Sequence, residues 1–179
     1  MARIAIVNRV DPLSQVRWLH HFTDSRNVQL IRELGGLYSH ARLKEMGAEF
    51  HPGGNDWSLD ADEMCGMDNY VHLCFRTNHP MEFLARQEGR IERTTWLYVE
   101  PSVLKLDGLM YSHGVANKSG MVVFPIREAL HLIDLEVICT RTDWRDPAIK
   151  SRLDHAEKCE VLVPDHLPLQ YFEKYLPNG

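Results

Sequence analysis

Two places in this 179-residue chain group side chains that carry chemistry. The first is His21-Phe22-Thr23, with Asn27 beyond it. In a strand, alternate residues share a face. His21 and Thr23 therefore present an imidazole and a hydroxyl to one cleft, with Asn27 on the next turn. The same pattern describes a core histidine beside a helix cap. The second is Glu160, set between Cys159 and Val161-Leu162-Val163. A strand-borne acid is rigidly aimed, which suits a functional cleft. A glutamate on the solvent face of an edge strand gives the same pattern.

Other common chemistries are missing. The sequence holds no GxxxxGK[ST] phosphate loop, no GxGxxG and no HExxH, and no GxSxG nucleophile elbow. Ten histidines raise the question of metal. His20 and His21 are adjacent and point to opposite faces of a strand. His72 and His79 lie near Cys74, but at no familiar zinc spacing. Cys65, Cys74, Cys139 and Cys159 form no CxxC pair. Without a secretory leader they read as reduced core thiols. No metal is expected.

The elements that must position these groups are mixed. Residues 18–22, 70–75, 94–100, 121–124 and 159–163 read as strands, the third and fifth stopped by Pro101 and Pro164. Residues 4–7 read as a short strand or packed arm. A helix follows Ser25, with Val28, Ile31 and Leu34 at helical spacing and Gly35-Gly36 at its end. Further helices are expected over 39–46, 80–87, 126–133 and 146–157. The interval 51–69, with its Pro52-Gly53-Gly54-Asn55 turn cluster and many acids, reads as a long loop. Strands and helices without regular βαβ alternation predict an α+β fold with a split, mainly antiparallel sheet and flanking helices.

Composition bounds the class. Hydrophobic residues make up 44% and charged residues 25%, with a net charge of −5. These globular values exclude a disordered or basic-tail protein, and the charge disfavours a broad nonspecific nucleic-acid binder. A chain of this size buries about 70% of its unfolded surface, enough to fold without disulfides or metal. The expectation is one domain over 1–179, with an arm at 1–17 and a core at 18–172. It is expected to be cytoplasmic and monomeric, with no membrane segment.

Several landmarks then fall in a telling order: His21-Phe22-Thr23 with Asn27, Ile31, Gly35-Gly36-Leu37-Tyr38-Ser39, Tyr70-Val71-His72-Leu73-Cys74-Phe75, and His79-Pro80-Met81. After them come Tyr111-Ser112-His113-Gly114-Val115-Ala116-Asn117, Thr142-Asp143-Trp144 and Glu160-Val161-Leu162-Val163-Pro164. Together, over residues 18–172, they resemble the DarT family of nucleic-acid ADP-ribosyltransferase toxins. The resemblance implies a split sheet that clamps NAD+ as co-substrate. ADP-ribose passes to a base in single-stranded DNA and nicotinamide leaves. It also implies a macrodomain antitoxin as partner. An RNA, protein or small-molecule acceptor, or a noncatalytic binding module, are the alternatives.

On this resemblance Glu160 is the catalytic residue. It holds the ribose, stabilises the oxocarbenium-like transition state and helps take the proton of the attacking base. His21, Thr23 and Asn27 bind the ribose side of NAD+. Ser39, Arg42 and Phe75 complete the cofactor set, with Arg42 toward the pyrophosphate and Phe75 against the nicotinamide. His113 is a further candidate contact. Lys158, two before Glu160, stands where arginine-modifying transferases carry a second glutamate, which argues against an arginine acceptor. Arg141, Trp144, Arg145 and Arg152 are candidates for DNA, with Trp144 placed to stack a base. The interleaved Asp143, Asp146, Asp154 and Glu157 also fit a solvated face of mixed charge. One departure concerns 51–69, which is acidic and holds no Arg or Lys where thymidine-modifying members are arginine-rich. The acceptor base therefore stays open between thymine and guanine.

Overall fold

The computed structural model describes residues 11–54 and 56–177. Within them the chain runs β1 (Leu19–Asp24), α1 (Val28–Leu34), β2 (Gly36–Tyr38), α2 (His40–Glu45), α3 (Asp56–Cys65), β3 (Tyr70–Cys74) and α4 (Pro80–Gln87). It continues with β4 (Thr94–Val99), β5 (Met110–Ser112), β6 (Val123–Pro125), α5 (Leu135–Cys139), α6 (Pro147–Ala156), β7 (Glu160–Pro164) and β8 (His166–Pro168). Six strands form one sheet in the order β4-β1-β3-β7-β5-β6, and β2 pairs with β8 separately. Every pairing is antiparallel. This is the α+β architecture expected from the unordered mixture of strands and helices.

Alternation explains which side of the sheet is dry. Val71 and Leu73 of β3, Val161 and Val163 of β7, and Leu97 and Val99 of β4 point into one core with Leu13, Val16, Tyr111 and Phe172. Leu13 and Val16 belong to the segment read as an arm, so its latter part packs as core. A smaller cluster of Met67, Ala116 and Leu162 covers the other face. The strand read at residues 4–7 lies outside the described residues.

Glu160 is not on an edge. Strand β7 is paired on both sides, and Glu160 sits opposite Cys74 of β3 and Ser112 of β5. By contrast, β1 and β3 share a single ladder pair, His20 with Cys74. The sheet therefore opens between them, toward the Thr23 end of β1 and the Tyr70 end of β3.

Local chemistry sets the helix ends. Pro80 and Pro147 occupy the first positions of α4 and α6, where a missing N–H costs nothing. Asp146 accepts from Ala148 N–H at 2.8 Å, and Gly35 closes α1 in the left-handed region with φ 75°. Where the sequence reading departs from the structure, the reason is physical. The interval 51–69 is not a plain loop, because α3 forms in it and Gly66, with φ 70°, stops it. Its polar residues hid the helix. Residues 126–133 form turns and a short 3-10 segment, Leu130–Leu132, rather than an α-helix. Their buried Ile126, Ala129 and Ile133 have helical spacing, but successive turns bury the same positions. Strands of three residues, such as β2, β5 and β8, are too short for period to reveal. Among the cysteines, Cys74 and Cys159 are buried thiols as expected, while Cys65 is exposed.

Gly36 is where β2 and β8 meet most closely. A Cβ there would collide with the Leu167 carbonyl oxygen and the His166 ring. Gly36→Ala is expected to cost about 1–3 kcal/mol by forced displacement. A thermal melt checks this, and an unchanged midpoint would show that the two strands tolerate separation.

Candidate active site

The opening between β1 and β3 is a cavity of about 240 Å³, lined by His21, Thr23, Asn27, His72, His79 and Glu160 among others. Its walls also carry Tyr38, Phe50, Tyr70 and, from α3, Asp62. His21 and Thr23 thus reach one space with Glu160, although they start from strands separated by β3. The split makes this possible. Just past the last ladder pair, His21 Nδ1–H donates to the His72 carbonyl at 2.9 Å. A side chain takes over where the backbone ladder ends. Burial pushes the His21 imidazole down to about 4, so it is neutral and its Nε2 remains an acceptor.

Glu160 is 6% exposed. A carboxylate this buried needs compensation. Its Oε2 accepts from His72 Nδ1 at 3.0 Å and from the Ala116 backbone N–H at 3.2 Å. Its Oε1 lies 3.2 Å from His79 Nε2, off the line of a good hydrogen bond. His79 Nδ1 accepts the Met81 N–H at the start of α4, so Nε2 carries the proton and its dipole faces the carboxylate. The second nitrogen of His72, Nε2, faces the Met67 carbonyl at 3.0 Å. Both His72 nitrogens thus address acceptors, which selects the imidazolium. Burial opposes that charge, but the Glu160 carboxylate and its hydrogen bond outweigh burial and lift His72 to about 9. Burial likewise opposes the Glu160 charge, and His72 outweighs it to hold the acid near 2.

Asn27 positions rather than reaches. Its Nδ2 donates to Thr23 Oγ1 at 3.0 Å and to the His51 carbonyl at 2.8 Å, and its Oδ1 accepts the His51 N–H at 2.9 Å. This pins the loop at 51–54 across the cavity and leaves the Thr23 hydroxyl free to donate.

Ser39, Arg42 and Phe75, placed with NAD+ in the sequence reading, do not line this cavity. The Ser39 hydroxyl caps α2 by accepting from Arg42 N–H at 3.2 Å. The Arg42 guanidinium pairs with Glu45 at 2.8 Å. Phe75 is 3% exposed and belongs to the main core. His113 also lies elsewhere, beside Tyr111 and His155. Of the DNA candidates, Arg141, Trp144 and Arg145 surround one surface depression with Arg76 and Lys150. Trp144 is 66% exposed. Arg145 is paired with Asp143 at 3.0 Å, Arg76 with Glu157 at 3.3 Å, and Lys150 with Asp154 at 2.6 Å. Arg152 stands apart, clamped by Asp134 at 2.7 Å and Glu136 at 2.7 Å. It ties α6 to α5.

The sequence reading missed His72, His79 and Asp62. The register Cys74 to Glu160 puts His72 on the Glu160 face, but register is not visible in sequence. The Asp62 Oδ1 is buried with no hydrogen-bond partner among the described residues. Burial first, with Glu160 and Asp68 adding, raises this carboxyl to about 6 against the pull of His72 and Asn117.

The split antiparallel sheet thus brings an ionised glutamate and a neutral histidine to one cavity. The family model described as "ssDNA thymidine ADP-ribosyltransferase, DarT" matches residues 20–175, so the chain belongs to the DarT family of NAD+-dependent ssDNA ADP-ribosyltransferases. Solved relatives share the fold. Thermus sp. 2.9 DarT in complex with ADP-ribosylated ssDNA superposes with a TM-score of 0.66 at 18% identity, over 89% of this chain and 80% of that one. The same protein in complex with NAD+ gives 0.60 at 18%, over 88% and 79%. Thermosipho africanus DarTG in complex with ADP-ribose gives 0.64 at 19%, over 87% of this chain but 42% of that one, so this chain spans about two-fifths of its length. No curated protein sequence matches the chain.

The His72–Glu160 pair gives a signed pH dependence. A raised histidine contributes stability fully below its ordinary 6.5 and loses it as pH passes about 9. Wild-type stability in urea is expected to fall between those values, and His72→Gln to flatten that fall. An identical pH slope in the variant would place the titration elsewhere.

Proposed function

We propose that the cavity holds the nicotinamide-ribose end of NAD+ and that Glu160 stabilises the charge developing on the ribose as nicotinamide leaves. The observation that carries this is the meeting of His21 and Glu160 at the sheet's split. The cavity is too small to enclose a dinucleotide, so one end enters and the rest lies along the opening. His21 Nε2 accepts from a ribose hydroxyl and the Thr23 hydroxyl donates. The aromatic rings available to nicotinamide are Tyr38, Phe50 and Tyr70 rather than Phe75.

Bond changes divide between two carboxylates. The N-glycosidic bond breaks and its electron pair leaves with neutral nicotinamide. A nitrogen of the acceptor base then bonds to the ribose carbon and loses its proton. An acid held near 2 by His72 is a strong anion but a weak base. Asp62, raised to about 6 and in the same cavity, is the better proton acceptor. We assign charge stabilisation to Glu160 and proton uptake to Asp62. This revises the expectation that Glu160 does both.

The acceptor in this reading is thymidine of single-stranded DNA, as the family description states. Support for a DNA path comes from Trp144 and Arg141 at the exposed depression, where Arg141 has no ion pair among the described residues. A macrodomain that removes the modification is the implied partner. The reading also has the chain acting as a cytoplasmic monomer. Among the described residues no helix is long and apolar enough to cross a membrane.

The test is incubation with NAD+ and short oligonucleotides, followed by mass spectrometry. Wild type is expected to add one ADP-ribose to thymidine in single strands. Addition to guanine, or to none, overturns the acceptor. Glu160→Gln is expected to lower turnover by about 10²–10³.

Asp62→Asn is expected to lower turnover by about 10²–10⁴ and to erase the rise in wild-type activity as pH passes about 6. An intact acid limb in that variant would remove Asp62 from proton uptake. Trp144→Ala is expected to raise KM for the oligonucleotide, in line with about 1–3 kcal/mol per stacked base, with kcat unchanged. An unchanged KM would take Trp144 off the DNA path.

A further inference from the structure

Away from the NAD+ cavity, three residues converge that no part of the reaction uses. His113 follows β5, His155 is on the last turn of α6, and Cys159 immediately precedes β7. One donor atom from each lies within 4.8 Å of the others. His113 Nε2 and His155 Nε2 face each other at 3.1 Å, with the rings 63° apart. His155 and Cys159 are four apart, across the end of a helix, a spacing that lets both reach one point.

We propose that His113, His155 and Cys159 form a binding site for a divalent transition metal, zinc in particular, which clamps the loop after β5 to the junction between α6 and β7. Two imidazoles and one thiol are borderline-soft donors that suit zinc. With bonds of about 2.0–2.1 Å to nitrogen and about 2.3 Å to sulfur, donors around tetrahedral zinc sit about 3.4 Å apart. The two imidazole nitrogens are close to that separation already.

The surroundings orient the ligands. Tyr111 Oη is 3.0 Å from His113 Nδ1, so the phenol oxygen accepts from Nδ1–H and leaves Nε2 for the metal. This outer hydrogen bond is what fixes a ligating histidine. Cys159 Sγ, 2% exposed as a residue, donates weakly to the His155 carbonyl at 3.5 Å. On binding, the thiol S–H bond breaks, a sulfur–zinc bond forms and one proton goes to solvent. Water completes the fourth position. The expectation of no metal failed to see this cluster because His113 comes from another part of the chain.

The location gives the clamp a consequence. Cys159 adjoins Glu160, and the loop that begins at His113 carries the Ala116 N–H that donates to Glu160. Fixing His113 against Cys159 therefore orders a loop that holds the reactive carboxylate.

The test uses the full chain stripped of metal and titrated with zinc, and separately with cobalt(II). Expected are about one metal per chain, release of a proton, and a thiolate-to-cobalt charge-transfer band. Amide exchange should slow over residues 113–117 on addition of zinc. His155→Gln and Cys159→Ser should each weaken zinc binding by about tenfold or more and abolish that protection. If Cys159→Ser does not fold, His155→Gln decides alone. Failure to bind zinc, binding unchanged in His155→Gln, or a cobalt complex without the sulfur band overturns the proposal.

Discussion

A negative charge buried in the middle of a β-sheet has to be answered, and the ion pair between Glu160 and His72 answers it here. Burial of either group alone disfavours its charged form. Together, with Ala116 N–H and the edge of His79, they hold Glu160 ionised. Removing one partner of such a pair typically costs about 3–5 kcal/mol, because the other charge is stranded. The dependence runs outward. His72 stays doubly donating because the Met67 carbonyl sits beneath it. Met67 is placed by the turn after α3, which Gly66 makes possible in the left-handed region. The helix inside the acidic interval therefore supports the carboxylate from a distance, besides lining the cavity.

The second constraint is the split between β1 and β3. A continuous ladder would leave no room for a ligand, and a complete break would leave β1 adrift. Pairing with β4 over all six residues of β1 keeps it in the sheet. The His21 side chain bridges the gap to the His72 carbonyl. At the far end of β1, Asp24 ties the turn to the strand. It accepts from Arg26 N–H at 2.8 Å and from Glu92 N–H at 2.9 Å. The Arg26 guanidinium beside it holds this carboxyl well below the usual range. Asn27 leaves that turn with its carboxamide committed to Thr23 and His51. Backbone hydrogen bonds that the split forgoes are thus replaced by side chains with fixed geometry.

Two carboxylates line one cavity in unlike surroundings, which separates their protonation. Glu160 faces a cation and stays an anion. Asp62 lies farther along, with one oxygen lacking a partner, and titrates near 6. Unlike local environments thus set the two acids of one cleft far apart in proton affinity. The surface depression around Trp144 follows a different rule. Most of its cations are already answered by neighbouring acids, so Trp144 and Arg141 are what remains on offer.

Much was legible before folding. Runs of aromatic and apolar residues marked β1, β3, β4 and β7. Proline and glycine marked the ends of α1, α4 and α6. Strand alternation and an acid among apolar residues are local signals, so His21, Thr23 and Glu160 stood out as candidates, and the structure brings all three to one cavity. Ser39, Arg42 and Phe75 lie outside the lining of the cavity, because order along the chain does not say which face a residue takes. Ser39 was already satisfied as a cap and Phe75 pointed into the core. The pairing of His72 with Glu160, the place of Asp62 in the cavity and the meeting of His113, His155 and Cys159 were not legible, since each depends on strand register or on segments far apart in sequence. Sequence by itself determined which residues have chemistry and which short elements carry them, because propensity, capping and alternation act over a few residues. Only the tertiary structure decided which charges meet. The electrostatics of a buried group depend on what is packed within a few ångströms of it, and those neighbours come from every part of the chain.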